Sequence, residues 1–185
     1  MPLLTGRIQV AMKAESVPGT AETLESGTGL VANAEMVLAS EASWDPDVAQ
    51  VERAAAGQSF DTAGSVAGVR QAKMTFKANL RGRTTAFTSS NRPDVNLPLQ
   101  ACGCTVTNPG GGGAEIVTVV PNSPNASATF YTVGIYNDGI LYRLAGSLGN
   151  FKLNFKAGEL VVAEFEMWGA YVAPSDVAMR TTSLS

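Results

Sequence analysis

The chain contains no histidine, and that absence removes more chemistry than any other single count. Ser-His-Asp and Cys-His nucleophile systems, HExxH zinc sites and imidazole proton shuttles cannot be built within one copy. Cysteine is almost as scarce: Cys102 and Cys104 are the only two. Alternate residues of a strand are badly placed for an unstrained disulfide, and two thiols without a second ligand pair make an incomplete zinc site. The C-x-C pair therefore reads as two small, partly buried thiols kept in a reducing compartment. Charge is also sparse, at 16% of residues, and the formal net charge is -3. A chain so poor in positive charge does not grip nucleic acid by neutralising phosphates, while its largely neutral surface is easy to bury against partners. Long apolar runs are missing as well. No stretch approaches the ~20 apolar residues of a membrane helix, so no membrane partner is expected. The opening "MPLLTGRIQVAMKAES" lacks an apolar run of signal-peptide length, so the expectation is a protein made and used without signal-dependent export.

What the sequence does have is strand alternation. In "AKMTFKANLR", residues 72 to 81, Ala72, Met74, Phe76, Ala78 and Leu80 share one face and Lys73, Thr75, Lys77, Asn79 and Arg81 the other. In "FKLNFKAGELVVAEFEMWGAY", residues 151 to 171, Phe151, Leu153 and Phe155 oppose Lys152, Asn154 and Lys156. Further on, Ala163, Phe165 and Met167 oppose Glu164 and Glu166. Upstream, "TGRIQVAMK" predicts a first strand, and "LVANAEMVLAS" a second, although a short helix fits that segment almost as well. Residues 41 to 70 read as a long loop, with Asp45-Pro46 placed to cap a short helix through "DVAQVERAAA". "RPDVNLPLQACG" predicts a short helix, begun or interrupted at Pro98 and closed by Gly103. "NPGGGGAE" reads as a loop and "EIVTVV" as a strand ended by Pro121. The C-terminal third predicts four antiparallel strands: "SATFYTVGIY", a tight Asn137-Asp138-Gly139 turn, "ILYRLAG", "SLGNFKLNFK" and "ELVVAEFEMWG". At this length one domain covering 1–185 is expected. It is mostly β, an antiparallel β-sandwich or curved sheet with one short flanking helix.

Motifs with chemical meaning are weak. "GTGLVA", residues 27 to 32, satisfies G-x-G-x-x-A, but "TAETLES" precedes it in place of an apolar strand, and antiparallel hairpins follow. Glu164 and Glu166 lie ~7 Å apart by strand rise, within the separation of an inverting glycosidase. Such an acid and base must reach a sugar from opposite sides, and neighbours on one flat face do not. Cross-strand pairing with Lys152 or Lys156 suits them better. A basic stripe of Lys73, Lys77, Arg81 and Lys152 lacks aromatics on its own face for stacking bases. No catalytic, metal-binding or cofactor-binding residue is identified, and no enzymatic activity is expected.

The order of the pieces is more specific than any one of them. The block "MTFKANLRG … NLPLQACGCTVT … TFYTVGIYNDGILYRLAGSLGNFKLNFKAGELVVAEFEMWGAY" closely resembles the tail tube (major tail) proteins of tailed bacteriophages. The matching segments are Leu99 to Gly103, Tyr136 to Gly139, Leu144 to Gly149, Ala157 to Glu159 and Glu164 to Gly169. "MKAESVPGTAET" resembles the family's opening Lys-x-Glu-x-x-x-Gly-Thr loop at Lys13, Glu15, Gly19 and Thr20. The resemblance covers most of the chain and is weakest over 41–70. It implies a structural virion protein of the tail, assembled in the host cytoplasm into stacked hexameric rings through which DNA leaves the capsid. It implies no cofactor. The implied partners are other copies of the chain, with tape measure, terminator and baseplate proteins, and DNA in transient, non-specific passage. A tail terminator, neck or baseplate adapter with the same fold is the alternative.

On this reading the charged strand faces, with Lys73, Lys77, Arg81, Lys152, Lys156, Glu164 and Glu166, line the lumen. Five basic groups against two carboxylates leave an excess that a conduit for DNA would have to offset. The loops 14–29 and 41–70 become assembly arms, with Trp44, Asp45, Asp47, Glu52 and Arg53 as candidate contacts between subunits.

Overall fold

Alternating apolar and polar residues bury one face of a strand, and strands of this kind hydrogen-bond into one layer. The computed structural model describes residues 8–26, 29–30, 34–51, 66–81, 92–107, 116–122 and 129–179. Its strands are β1 (Ile8–Ala14), β2 (Glu25–Ser26), β3 (Gly29–Leu30), β4 (Glu35–Val37), β5 (Ala39–Val51) and β6 (Val66–Asn79). After the helix α1 (Asn96–Ala101) come β7 (Cys104–Thr107), β8 (Thr118–Pro121), β9 (Tyr131–Asn137), β10 (Ile140–Asn154) and β11 (Val162–Asp176). Seven strands form an antiparallel sheet in the order β4-β1-β9-β10-β11-β6-β5, and β2-β3 and β7-β8 form two small ribbons. The fold is mostly β, as the alternation predicts.

One face of the large sheet carries the main core. Met74 and Phe76 of β6, Phe165 and Met167 of β11, and Val10 and Met12 of β1 are buried there with Leu97 and Leu99 of α1 and Val106 of β7. The layer opposite the sheet is thus the helix and the β7-β8 ribbon, not a second full sheet. Phe76 and Phe165 stack at 5.2 Å across the β6-β11 pair. A smaller cluster sits on the other face, where Leu24, Ala11, Tyr136 and Leu141 are buried and Val177 and Met179 pack against them.

Three expectations need correction. Residues 41–51 are not loop or helix but part of edge strand β5, paired with β6 from Ala39↔Ala78 to Val51↔Val66. The segment offers no helical apolar stripe, and a long, regular neighbour such as β6 imposes pairing on it. Only 52–65 lies outside the described residues, and with it Glu52 and Arg53. "ILYRLAG" and "SLGNFKLNFK" are one strand, β10, interrupted by a bulge in its pairing with both β9 and β11. The C-terminal meander therefore has three strands, not four. Helix α1 begins at Asn96, before Pro98. Proline is tolerated in a first turn because its missing N–H would have no intrahelical acceptor there. Gly103 does close the helix, at φ 78°. The Asp138-Gly139 turn has positive φ at both residues, 45° and 92°, as a tight hairpin requires. The "NPGGGGAE" segment, and most of "GTGLVA", lie outside the described residues.

Candidate assembly face

Cross-strand partners share a face, so the register shows where each charged side chain stands. Reading from β5 through β6 to β11, one row is Asp47, Gln71 and Ala170, and the next is Asp45, Lys73 and Trp168. Then come Ser43, Thr75 and Glu166, and finally Ser40, Lys77 and Glu164. Strand β10 extends the last three rows with Leu148, Asn150 and Lys152. None of these side chains belongs to the main core, whose residues alternate with them.

The charges on this face are matched locally. Lys73 pairs with Glu166, one row along on the next strand, and its Nζ lies 5.6 Å from the centroid of the Trp168 ring. Lys77 Nζ is 2.5 Å from Glu41 Oε2 and 3.8 Å from Glu164 Oε1. The Glu41 hydrogen bond is the main reason that the Lys77 pKa is raised from 10.5. Ser43 and Thr75 share a hydroxyl hydrogen bond of 2.7 Å. Glu41 reaches Lys77 because β5 carries an extra residue between Ser40 and Ser43, with Glu41 itself at φ 51°. A bulge of this kind re-aims a side chain and ends regular pairing at an edge.

Two of the seven residues predicted for this face are elsewhere. Arg81 lies beyond the end of β6 and donates from Nη2 to Asp94 at 2.8 Å, beside the entrance to α1. Lys156 sits in the β10-β11 turn and pairs with Glu159. The other five share one face, and Glu41, Asp45 and Asp47 join them. The rows thus hold three lysines (Lys73, Lys77, Lys152) and five carboxylates, which removes the predicted excess of positive charge. Trp44 points the other way. It packs between Tyr142 and Tyr171, each ring 5.7 Å distant, against its own chain's core.

The predicted opening loop proves to be a strap. Glu15 Oε1 accepts hydrogen bonds from the Thr132 hydroxyl (2.9 Å) and the Gly146 N–H (2.6 Å), while Oε2 accepts from the Gly19 N–H (2.7 Å). Thr132, fully buried, in turn accepts from the Glu22 N–H at 2.9 Å. One carboxylate therefore closes its own loop and fastens it to the β10 bulge. At that bulge Gly146 has φ 62°, and a Cβ would meet Gly19 Cα at 3.3 Å. Glu22 bonds Lys13 (2.7 Å) and the Ser16 hydroxyl and N–H. These contacts, Lys13 first, lower its pKa to about 2. On β4, next to β1, Glu35 moves upward because burial outweighs the attraction of Arg92 at 3.3 Å. The cysteines are both free thiols. Burial, with a smaller contribution from Cys104, pushes Cys102 up to about 12, far from the thiolate that metal binding or nucleophilic attack needs. No cluster of potential metal ligands occurs among the described residues, and none of their helices is long and apolar enough to cross a membrane.

The large sheet is thus packed on one side and strapped over part of the other, and the rest of that second face is bare and charged. The family model for phage tail tube proteins matches residues 5–184, and the chain belongs to that family. It is therefore a structural component of a phage tail, from a family that is structural rather than enzymatic. No curated protein matches it in sequence. Among solved structures it is similar to a chain of the anti-feeding prophage baseplate, at 11% identity, TM-score 0.46 and 97% coverage of both chains.

Proposed function

We propose that the chain assembles with itself into stacked hexameric rings that form a tail tube for the passage of DNA, with the bare charged face lining the lumen. The observation that carries this reading is the local pairing on that face. A wall that guides hydrated DNA must be polar and must not hold phosphate, and here Lys73 and Lys77 each pair with carboxylates of neighbouring strands. A continuous basic track would bind the duplex and slow it. Apolar patches would bind tape measure or other protein segments in preference to letting them slide. The sheet also ends in β5, a 13-residue edge strand that can pair with the sheet of a neighbouring copy. Its bulge at Glu41 and its Pro46 restrict where such pairing can run. Contacts of the head-to-tail kind between rings then extend the assembly along its axis.

Negative-stain and cryo-electron microscopy of the purified protein test this directly. Long cylinders of uniform width are expected, with Lys73, Lys77, Glu164 and Glu166 on the inner wall. Assembly that stops at a single ring would favour a terminator, neck or baseplate adapter. A tube with these side chains on its outer surface would refute the lumen assignment while leaving the tube.

A further inference from the structure

An apolar cleft opens at the end of the main core, where the large sheet runs on past the layer that covers it. Its volume is about 670 Å³. Phe151 and Leu153 of β10 and Leu80 after β6 form one wall, and Val106 and Val119 of the β7-β8 ribbon, with Val117 just before β8, form the other. Its rim is polar and carries the Arg81-Asp94 ion pair. The cleft is of the size that encloses several apolar side chains, and among the described residues the β7-β8 ribbon is what faces β10 across it.

The same chain carries a protrusion of matching character. At the β10-β11 turn Phe155 is 72% exposed and Leu160 68% exposed. Single exposed apolar residues are ordinary, but these two flank one short turn whose shape is fixed. Glu159 N–H donates to Lys156 O at 3.1 Å, Gly158 takes φ 81°, and the Lys156 and Glu159 side chains pair across the turn. The turn is thus a pre-formed knob, which loses little conformational freedom when it docks. Phe155 stands only two residues beyond the cleft wall at Leu153, yet it remains in solvent and does not fill its own cleft.

We propose that the knob of one copy, Phe155 and Leu160, docks in the apolar cleft of a neighbouring copy. Charge complementarity supports a second copy as the occupant. The knob presents one lysine and one glutamate, the rim one arginine and one aspartate, so Lys156 can exchange onto Asp94 and Glu159 onto Arg81 as the apolar groups dock. With the knob of each copy in the cleft of the next and no reciprocal exchange within a pair, the contact is heterologous. It propagates from copy to copy and closes into a ring or continues as a filament. The inference deepens the self-assembly reading and rests on it.

The test uses two variants of the full chain, Phe155→Ser with Leu160→Ser to remove the knob, and Val119→Arg to block the cleft. All three positions are exposed, so circular dichroism and the thermal midpoint should match the unmodified protein. Each variant alone should lose assembly by roughly tenfold or more in the concentration required, the loss expected when a central aromatic anchor is removed. Mixed in equal amounts they should form a two-chain species and stop there, since the mixture retains one intact knob facing one intact cleft. Light scattering or mass photometry reads this. If unmodified protein builds tubes and both variants do so equally well, the contact is refuted and the tube stands. If both variants fail alone but no two-chain species forms on mixing, knob and cleft are not partners. If unmodified protein stays monomeric at every concentration, the self-assembly reading falls and the contact with it.

Discussion

The face of the large sheet opposite the main core has two halves with opposite fates. Over β1 and β9 it is covered: Leu24 of the strap is fully buried against Ala11, Tyr136 and Leu141, and the residues after β11 close over the same patch. Over β11, β6 and β5 it is bare and carries paired charges. Strand geometry is the same in both halves, so the difference lies in side chains. In the covered half small residues leave a depression. A Cβ added at Gly134 would lie 2.5 Å from Leu24 Cδ1, so the glycine is what admits the leucine. In the bare half β6 presents Lys73, Thr75 and Lys77, and β11 presents Glu164 and Glu166. Covering them would mean removing charge from water without further partners, a cost that a strap of this length does not offset.

The largest expected effect therefore comes from the covered half. Leu24→Ala deletes a fully buried side chain and leaves a cavity between strap and sheet. We expect a loss of about 2–5 kcal/mol in denaturant unfolding, with raised amide exchange across 15–26. A loss no greater than that of an exposed leucine would mean that the strap is decoration and that the two halves do not differ.

The comparison also shows what the sequence made legible. Residues 72–79 of β6 and 162–169 of β11 can be read from alternation because nothing interrupts it there, whereas 66–70, which open β6, read as loop. β10 read as two strands because the extra residue at Gly146 reverses the phase: Leu144 before it and Phe151 after it both face the main core although they are seven apart. β5 read as a loop for the same kind of reason. Its bulge at Glu41 and its Pro46 break the period, and only a partner strand shows that the segment is extended. The charged face was therefore half visible. Lys73, Lys77, Lys152, Glu164 and Glu166 followed from period two, whereas Glu41 depended on a bulge and Asp45 and Asp47 on pairing between segments separated by residues that carry no strand signal. Arg81 and Lys156 lie beyond the ends of β6 and β10, which alternation does not reveal. The strap motif was visible only as a resemblance, and its reason, a carboxylate that fastens a loop to a bulge 131 residues away in sequence, is a property of the fold.

A smaller effect separates the halves by pH. The lowered pKa of Glu22, about 2 against an ordinary 4.5, means that the folded state favours its ionised form. Its contribution is fully present above about pH 4.5 and is lost as pH falls through about 2. Amide exchange at Ser16, whose N–H donates to Glu22, should therefore rise across that window. Glu22→Gln should show the raised exchange already at neutral pH and lose the dependence. If Ser16 protection is unchanged down to pH 2, the Lys13-Glu22 pair does not hold the strap.

The smallest effect belongs to the bare half, and its smallness is the point. Lys77 and Glu41 form the tightest contact there after Lys73-Glu166, but the Glu41 side chain is 68% exposed and that of Lys77 36%. Solvent screens such a pair and side-chain entropy opposes it. Glu41→Gln should thus leave the thermal midpoint within experimental scatter, while moving the Lys77 pKa back toward 10.5, since the Glu41 hydrogen bond is its chief perturbation. The sign agrees with silence at neutral pH: a raised lysine pKa contributes fully below the ordinary value and is lost only as pH climbs through the higher folded one. Side-chain nitrogen NMR follows Lys77 and calorimetry follows the midpoint. A large fall in the midpoint would show that the pairs on this face hold the subunit together. Charge matching would then have a reason inside the single chain, and the proposed lumen role would no longer be needed to explain it.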